Sequence, residues 1–180
     1  VLPEGTITNP RGFLAGAVYA GIKTPGPDKL DLGILYSPMP CTAAGVFTTN
    51  RVRAAAVAVC EEHVRSGDAR AVLVNAGCAN ACTGEEGMNN ARTSARLAAE
   101  TLGVIGVQLP MDKIRTGIAG IELSRDGGHR LARAIMTTDT RPKEIAVTFE
   151  VQGTPITIGG IAKGAGMIHP NMATMLGFVA

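Results

Sequence analysis

Apolar and polar positions alternate in short blocks along most of this chain. Residues near 31–36, 43–48, 55–60 and 71–75 are apolar and β-rich, which predicts four strands. A short helical piece fits 61–66 and stops at Gly67. Glu85 to Leu102 is rich in alanine and arginine and carries acids in its first turn, the composition of a helix. Pro110 can open a further helix running through Ile121. Gly127-Gly128 precedes another, through about Met136, and Pro142 ends that pattern. Glu144 to Val151 and Pro155 to Ala162 alternate as two strands joined around Gln152-Gly153, a hairpin. Strand pairs interspersed with helices predict an α/β fold of layered sheet and helix, not a helix bundle. Thr24 to Asp28 reads as a turn-rich loop, not a boundary, so residues 1–180 are expected to form a single domain. The chain shows no internal repeat and no low-complexity tract.

Composition narrows the picture. With 180 residues, 46% apolar and 18% charged, the chain is long enough and apolar enough to bury a core. Tryptophan is absent and aromatics make up only 3%, so that core must come from Ala, Val, Ile, Leu and Met. A net charge of +2, with no basic run interleaved with aromatics, argues against nucleic acid as a partner. No apolar stretch reaches membrane-spanning length, and the first residues lack a signal-peptide pattern, so a cytoplasmic location is expected. Cys41, Cys60, Cys78 and Cys82 lack the paired spacing of a zinc site, and His63, His129 and His169 are scattered. The cysteines are read as small apolar residues in a reducing compartment, with no metal.

The stretch from Lys163 to Leu176, KGAGMIHPNMATML, holds the most chemistry. Lys163 stands beside Gly164 and Gly166, where backbone can approach a ligand closely. Such a lysine can meet a substrate carboxylate as a point charge; alternatively it is a solvated loop lysine. Ala173-Thr174 places a hydroxyl behind a small residue, the arrangement a chain needs to cut itself by an acyl shift. A threonine freed in this way is a nucleophile whose own α-amine serves as base. The plainer alternative is an ordinary loop, followed by a buried helix face of Met172, Met175, Leu176 and Phe178. Thr137 and Thr138 follow a predicted helix and precede Asp139; they are candidate substrate contacts or makers of local backbone bonds. Asn75 and Asn80, around Gly77, are expected to hold a turn. Gly159-Gly160 and Lys163-Gly164 raise a phosphate-binding reading, but a P-loop needs Ser or Thr directly after its lysine.

KGAGMIHPNMATML resembles the processing-site signature of the ornithine acetyltransferases, the bifunctional glutamate and ornithine acetyl-transfer enzymes of arginine biosynthesis. Four further stretches match in order: Gly45–Asn50, Asn75–Gly84, Val104–Gly106 with Leu109–Lys113, and Ala134–Thr140. The resemblance runs from about Gly12 to the end of the chain. It implies the layered fold of self-processing enzymes with an N-terminal threonine nucleophile. It implies cleavage between Ala173 and Thr174, acetyl transfer from N2-acetylornithine to glutamate through an acetyl-threonine, and no bound cofactor. Acetyl-CoA is left open as a second acetyl donor. Lys163, Thr174 and one of Thr137 and Thr138 would contact substrate.

The family supplies an oxyanion hole with a Thr-Gly pair directly before Val-Ile-Gly. Here Leu102-Gly103 precede Val104, so Gly103 matches and the threonine does not. Family members carry a connection and a strand at this point, and a segment of about a dozen residues is expected to be missing between Thr101 and Val104. The family precursor is about twice as long. The expected partner is therefore a β chain from the same precursor, in a heterotetramer of two α and two β chains. Two other readings remain: an amidase or aminopeptidase with the same nucleophile, and an inactive structural half.

Overall fold

The computed structural model describes residues 1–23, 26, 29–102, 111–164 and 175–180. Its elements follow in the order β1 (Leu14–Val18), β2 (Leu32–Thr42), α1 (Ala55–Val64), β3 (Asp68–Asn75), α2 (Gly84–Leu102), α3 (Met111–Ala119), a 3-10 turn (Arg125–Gly127), α4 (Gly128–Ala134), β4 (Lys143–Val151), β5 (Thr154–Lys163) and β6 (Leu176–Val179). Among the described residues these form two antiparallel three-stranded sheets, β1-β2-β3 and β4-β5-β6, as expected of an α/β layered fold.

The first sheet is buried on both faces. Leu32 and Ile34 of β2 and Leu73 of β3 face one side and pack on Leu97 of α2 and on Ile114 and Ile118 of α3. Leu35 and Val74 face the other side and meet Leu131 and Ile135, at the end of α4, together with Ile7 and with Ile161 of the second sheet. This period of two along β2 explains why its sequence reads as a nearly continuous apolar run. The turn into α4 lies so close to β1 that a Cβ on Gly127 would sit 1.7 Å from the Ala15 carbonyl oxygen, so only glycine fits.

Several expectations are corrected. Residues 55–60, read as a strand, form the first part of α1. Its buried residues, Ala55 and Val59, are four apart, which is helical spacing, and alanine favours helix over the two valines' preference for strand. Residues 43–48 form no strand. Instead β2 runs to Thr42, with a register shift between Tyr36 and Cys41 where Pro38 and Pro40 cannot donate to a ladder. Strands β1 and β6 had no counterpart in the sequence reading. The alternative helix face at Met175, Leu176 and Phe178 gives way to β6, paired with β5; Met172 lies outside the described residues. The hairpin around Gln152-Gly153 forms as expected, both residues having positive φ (51° and 78°), the requirement of a two-residue type I′ turn.

Candidate active site

Three segments meet where α4 ends. The chain leaves α4 at Ala134, passes through Thr137, Thr138 and Asp139, and enters β4 at Lys143. Beside this loop β5 ends at Lys163, followed by Gly164. Asp139 joins the two. Its Oδ1 accepts the Gly164 N–H at 2.8 Å, and its Oδ2 accepts the Thr137 N–H at 3.4 Å. Lys143, four residues on, donates to the same carboxylate. The Asp139 side chain is only 3% exposed. Burial alone would raise its pKa, but the bonds from Lys143, Gly164 and Thr137 outweigh it and hold the carboxyl at about 2.

The third segment precedes β2. Lys23 donates through Nζ to the carbonyl oxygens of Leu30 (2.9 Å) and Ala134 (3.2 Å), so a cation caps the C-terminal end of α4. Its loop is held by Asp31, a fully buried carboxylate that accepts N–H bonds from Ala20, Ile22 and Lys23 at 2.6, 2.6 and 2.9 Å. Burial lowers the Lys23 pKa; Asp31 and Asp139 oppose this, and the nearby charge of Lys163 adds to it. Asp139 is therefore neutralised by Lys143, while Lys163 has no ion-pair partner among the described residues. The result is a site with surplus positive charge at the mouth of the Thr137–Thr138 loop, suited to a substrate carboxylate.

Of the residues singled out from sequence, Thr137, Thr138 and Lys163 come together here, and Thr138 has an interaction partner of its own. Thr174, Ala173 and Gly103 lie outside the described residues, as does the junction before Val104. Leu176, two residues beyond Thr174 in sequence, is the strand partner of Lys163. Lys23, Asp31 and Lys143 were not anticipated, and Asp139 was noted only as a neighbour of the threonines. The spacing of Asp139 and Lys143, four residues apart, was the one signal available for that pair.

Asn75 and Asn80 hold the turn before α2. Asn75 Nδ2 donates to the Cys78 carbonyl at 3.0 Å, and Asn80 Nδ2 to the Gly87 carbonyl at 3.1 Å. Gly159-Gly160 lie within β5, which removes the phosphate-loop reading. Cys78 and Cys82 are exposed and so are not core residues, whereas burial pushes the Cys60 thiol up. Among the described residues no cluster of His, Cys, Asp or Glu could hold a metal, and no helix is long and apolar enough to cross a membrane. A groove of about 430 Å³ beside α3, lined by Tyr19, Asp112, Lys113 and Thr116, contains none of the candidate residues.

The model of the ArgJ family matches residues 14–180. This chain belongs to the ArgJ family. The arginine biosynthesis bifunctional protein ArgJ of Dehalococcoides mccartyi is 55% identical over 99% of this chain and 47% of its own length. That of Symbiobacterium thermophilum is 52% identical over 97% of this chain and 47% of its own length. The chain thus spans about half the length of the curated relatives it matches, and it corresponds to their N-terminal half.

Two solved chains are nearly coextensive with this one. That of the Bacillus halodurans ArgJ protein has a TM-score of 0.85 at 37% identity, covering 96% of this chain and 95% of its own. That of the ornithine acetyltransferase of Mycobacterium tuberculosis, complexed with ornithine, has a TM-score of 0.84 at 38% identity, covering 97% and 98%. The match to the Dehalococcoides protein is 191 positions long against the 180 residues of this chain, so at least 11 positions of that relative have no counterpart here.

Proposed function

We propose that this chain is the N-terminal half of an acetyltransferase that moves the acetyl group of N2-acetylornithine to glutamate. The observation that carries this reading is the convergence of Thr137 and Lys163-Gly164 on Asp139, within a chain of the ArgJ family. The Thr174 hydroxyl attacks the Ala173 carbonyl, the peptide passes to an ester, and water cleaves the ester to leave Thr174 with a free amine. That amine then takes the hydroxyl proton as the oxygen attacks the acetyl carbonyl of N2-acetylornithine. The acetyl C–N bond breaks, ornithine departs with the proton, and an acetyl-threonine remains. The amine of glutamate attacks this ester and regenerates the hydroxyl. Lys163 holds the substrate carboxylate, and the Thr137–Thr138 loop lines the same pocket. Gly103 contributes an oxyanion donor.

Support for the processing step comes from lengths. The curated relatives are about twice as long as this chain, whereas the solved chains end within a few per cent of its length. The remainder of the precursor then forms a β chain that completes one domain with this half, in a heterotetramer of two α and two β chains. The mixture works in the cytoplasm without a bound cofactor, and acetyl-CoA is a candidate second donor for acetylating glutamate.

A second reading is favoured by one observation. The absence of the Thr from the oxyanion pair fits a half that has lost its transition-state support, and at least 11 positions of the relative have no counterpart in this chain. The two readings separate on intact mass and turnover of the protein expressed from its complete reading frame, beside Thr174→Ala. Cleavage after Ala173 in wild type alone, with acetyl transfer, supports the enzyme. An uncut wild-type chain without transfer supports the inactive half.

A further inference from the structure

Residues 20–23 form a loop clamped on three sides. From inside, the fully buried Asp31 carboxylate accepts the N–H groups of Ala20, Ile22 and Lys23. From α3, Lys113 donates through Nζ to the Gly21 carbonyl. From the turn after β3, Gly77 lies so close that a Cβ there would sit 2.9 Å from the Ile22 carbonyl carbon and from the Lys23 Cα. A backbone held this way fixes the point from which the Lys23 side chain departs.

That side chain spans the gap to α4. Its Nζ donates to the Leu30 carbonyl at 2.9 Å and to the Ala134 carbonyl at 3.2 Å. Ala134 is the last residue of α4. In a helix continued by one more turn, its carbonyl would take the N–H of Thr138. The Lys23 ammonium supplies a donor in that place and opposes the negative end of the helix dipole. The chain can therefore leave the helix after Ala134 without stranding that carbonyl. The far end of the same loop is held by Asp139, which accepts from Thr137, Lys143 and Gly164. Thr137 and Thr138 lie between these two anchors.

We infer that Lys23 is a positioning residue of the transfer reaction: by fixing where α4 ends, it sets where Thr137 and Thr138 stand against the substrate beside Lys163. Lys163 lies near enough for its charge to act on Lys23, so the two cations share one neighbourhood. Two of the three Lys23 donors are committed to backbone carbonyls, so its action runs through the loop and not through the substrate. The inference deepens the acetyl-transfer reading above and rests on it for its chemistry.

The test uses the protein expressed from its complete reading frame. Lys23→Met removes the donors and keeps an apolar stem. Its kcat/KM for N2-acetylornithine is expected to fall about 10-fold, because small displacements of substrate-positioning groups slow the chemical step. In a background of Thr137→Val with Thr138→Val, the same substitution is expected to cost less than about 2-fold, because the hydroxyls it positions are gone. Val59→Ala, in the core between α1 and α2, loosens the fold elsewhere and is expected to leave kcat/KM within about 2-fold. An equal cost of Lys23→Met in both backgrounds, no cost in wild type, or an equal loss from Val59→Ala would overturn the inference.

Hydrogen exchange reads the geometry without turnover. The Ile135 and Met136 amides bond to the Leu131 and Arg133 carbonyls at the end of α4. In Lys23→Met they are expected to exchange at least about 10-fold faster than in wild type, with Val147 in β4 unchanged. Unchanged exchange at Ile135 and Met136 would overturn the inference. Faster exchange at Val147 as well would mark a variant that does not fold. Lys23→Gln, uncharged and one atom shorter, then takes its place in both comparisons, with the same deciding results. A wild type that transfers no acetyl group would end the acetyl-transfer reading, whereas exchange at Ile135 and Met136 would still decide whether Lys23 fixes the loop.

Discussion

Asp139→Asn is the substitution whose consequences the structure specifies most closely. The carboxylate sits at a pKa of about 2 against a reference of 3.8, because the bonds from Lys143, Gly164 and Thr137 outweigh the cost of its burial. Each pKa unit is worth 1.36 kcal/mol, so the charged form contributes about 2.5 kcal/mol at neutral pH. Lys143 is about half exposed and partly screened, which reduces the figure to about 2 kcal/mol.

The sign follows from the direction of the shift. A depressed carboxyl pKa stabilises the fold above the unfolded value and loses that contribution as pH falls through the folded one. With reference 3.8 and folded value about 2, roughly half of the contribution is gone by pH 3. Thermal unfolding of the complete protein and the variant, from pH 7 down to pH 3, is the assay. The gap in melting temperature should be a few degrees at pH 7 and should narrow steadily below pH 4. A gap that stays constant across this range, or no gap at pH 7, would refute the assignment of the stabilisation to the ionised carboxylate. In turnover the same variant frees the Thr137 loop from Gly164, and kcat/KM for N2-acetylornithine should fall about 10-fold through loss of positioning.

The other predictions concern neighbouring groups. Lys163→Met should raise KM for N2-acetylornithine about 10- to 100-fold in steady-state kinetics, with a smaller effect on kcat, because it removes a charge that binds ground state and transition state alike. Lys23→Met removes donors to Leu30 and Ala134; denaturant unfolding should show a loss of about 1 kcal/mol. Leu131→Ala empties the contact between α4 and the first sheet and should cost about 3 kcal/mol in the same measurement, without altering KM in the surviving folded fraction.

Long periodic elements were legible in the sequence. Gly84–Leu102, Met111–Ala119 and the hairpin Lys143–Lys163 lie where composition, caps and turn residues agreed. The failures have physical causes. Alanine and valine at 55–60 are compatible with either period, and only the burial of Ala55 and Val59 against α2 settles the helix. Strand β1, Leu-Ala-Gly-Ala-Val, is weak in β-propensity and exists because α4 and its entry turn press on it from one side. In the site, Thr137 and Lys163 could be picked out because each sits in a recognisable motif. Asp139 could not be, because its role is to bring together segments 25 residues apart, which no local pattern encodes. Lys23 and Asp31 were hidden for the same reason: their partners are backbone groups, fixed only once α4 and β2 are packed.

The central claim is that Thr174 carries the acetyl group. The most direct measurement is the mass of the peptide that begins at Thr174, taken from the complete protein quenched shortly after mixing with N2-acetylornithine in the absence of glutamate. The account predicts that this peptide gains the mass of one acetyl group, and loses it again when glutamate is added, with N-acetylglutamate appearing in step. An unmodified Thr174 peptide in a protein that still transfers acetyl groups would contradict it, as would an acetyl group found on any other residue and passed on to glutamate from there.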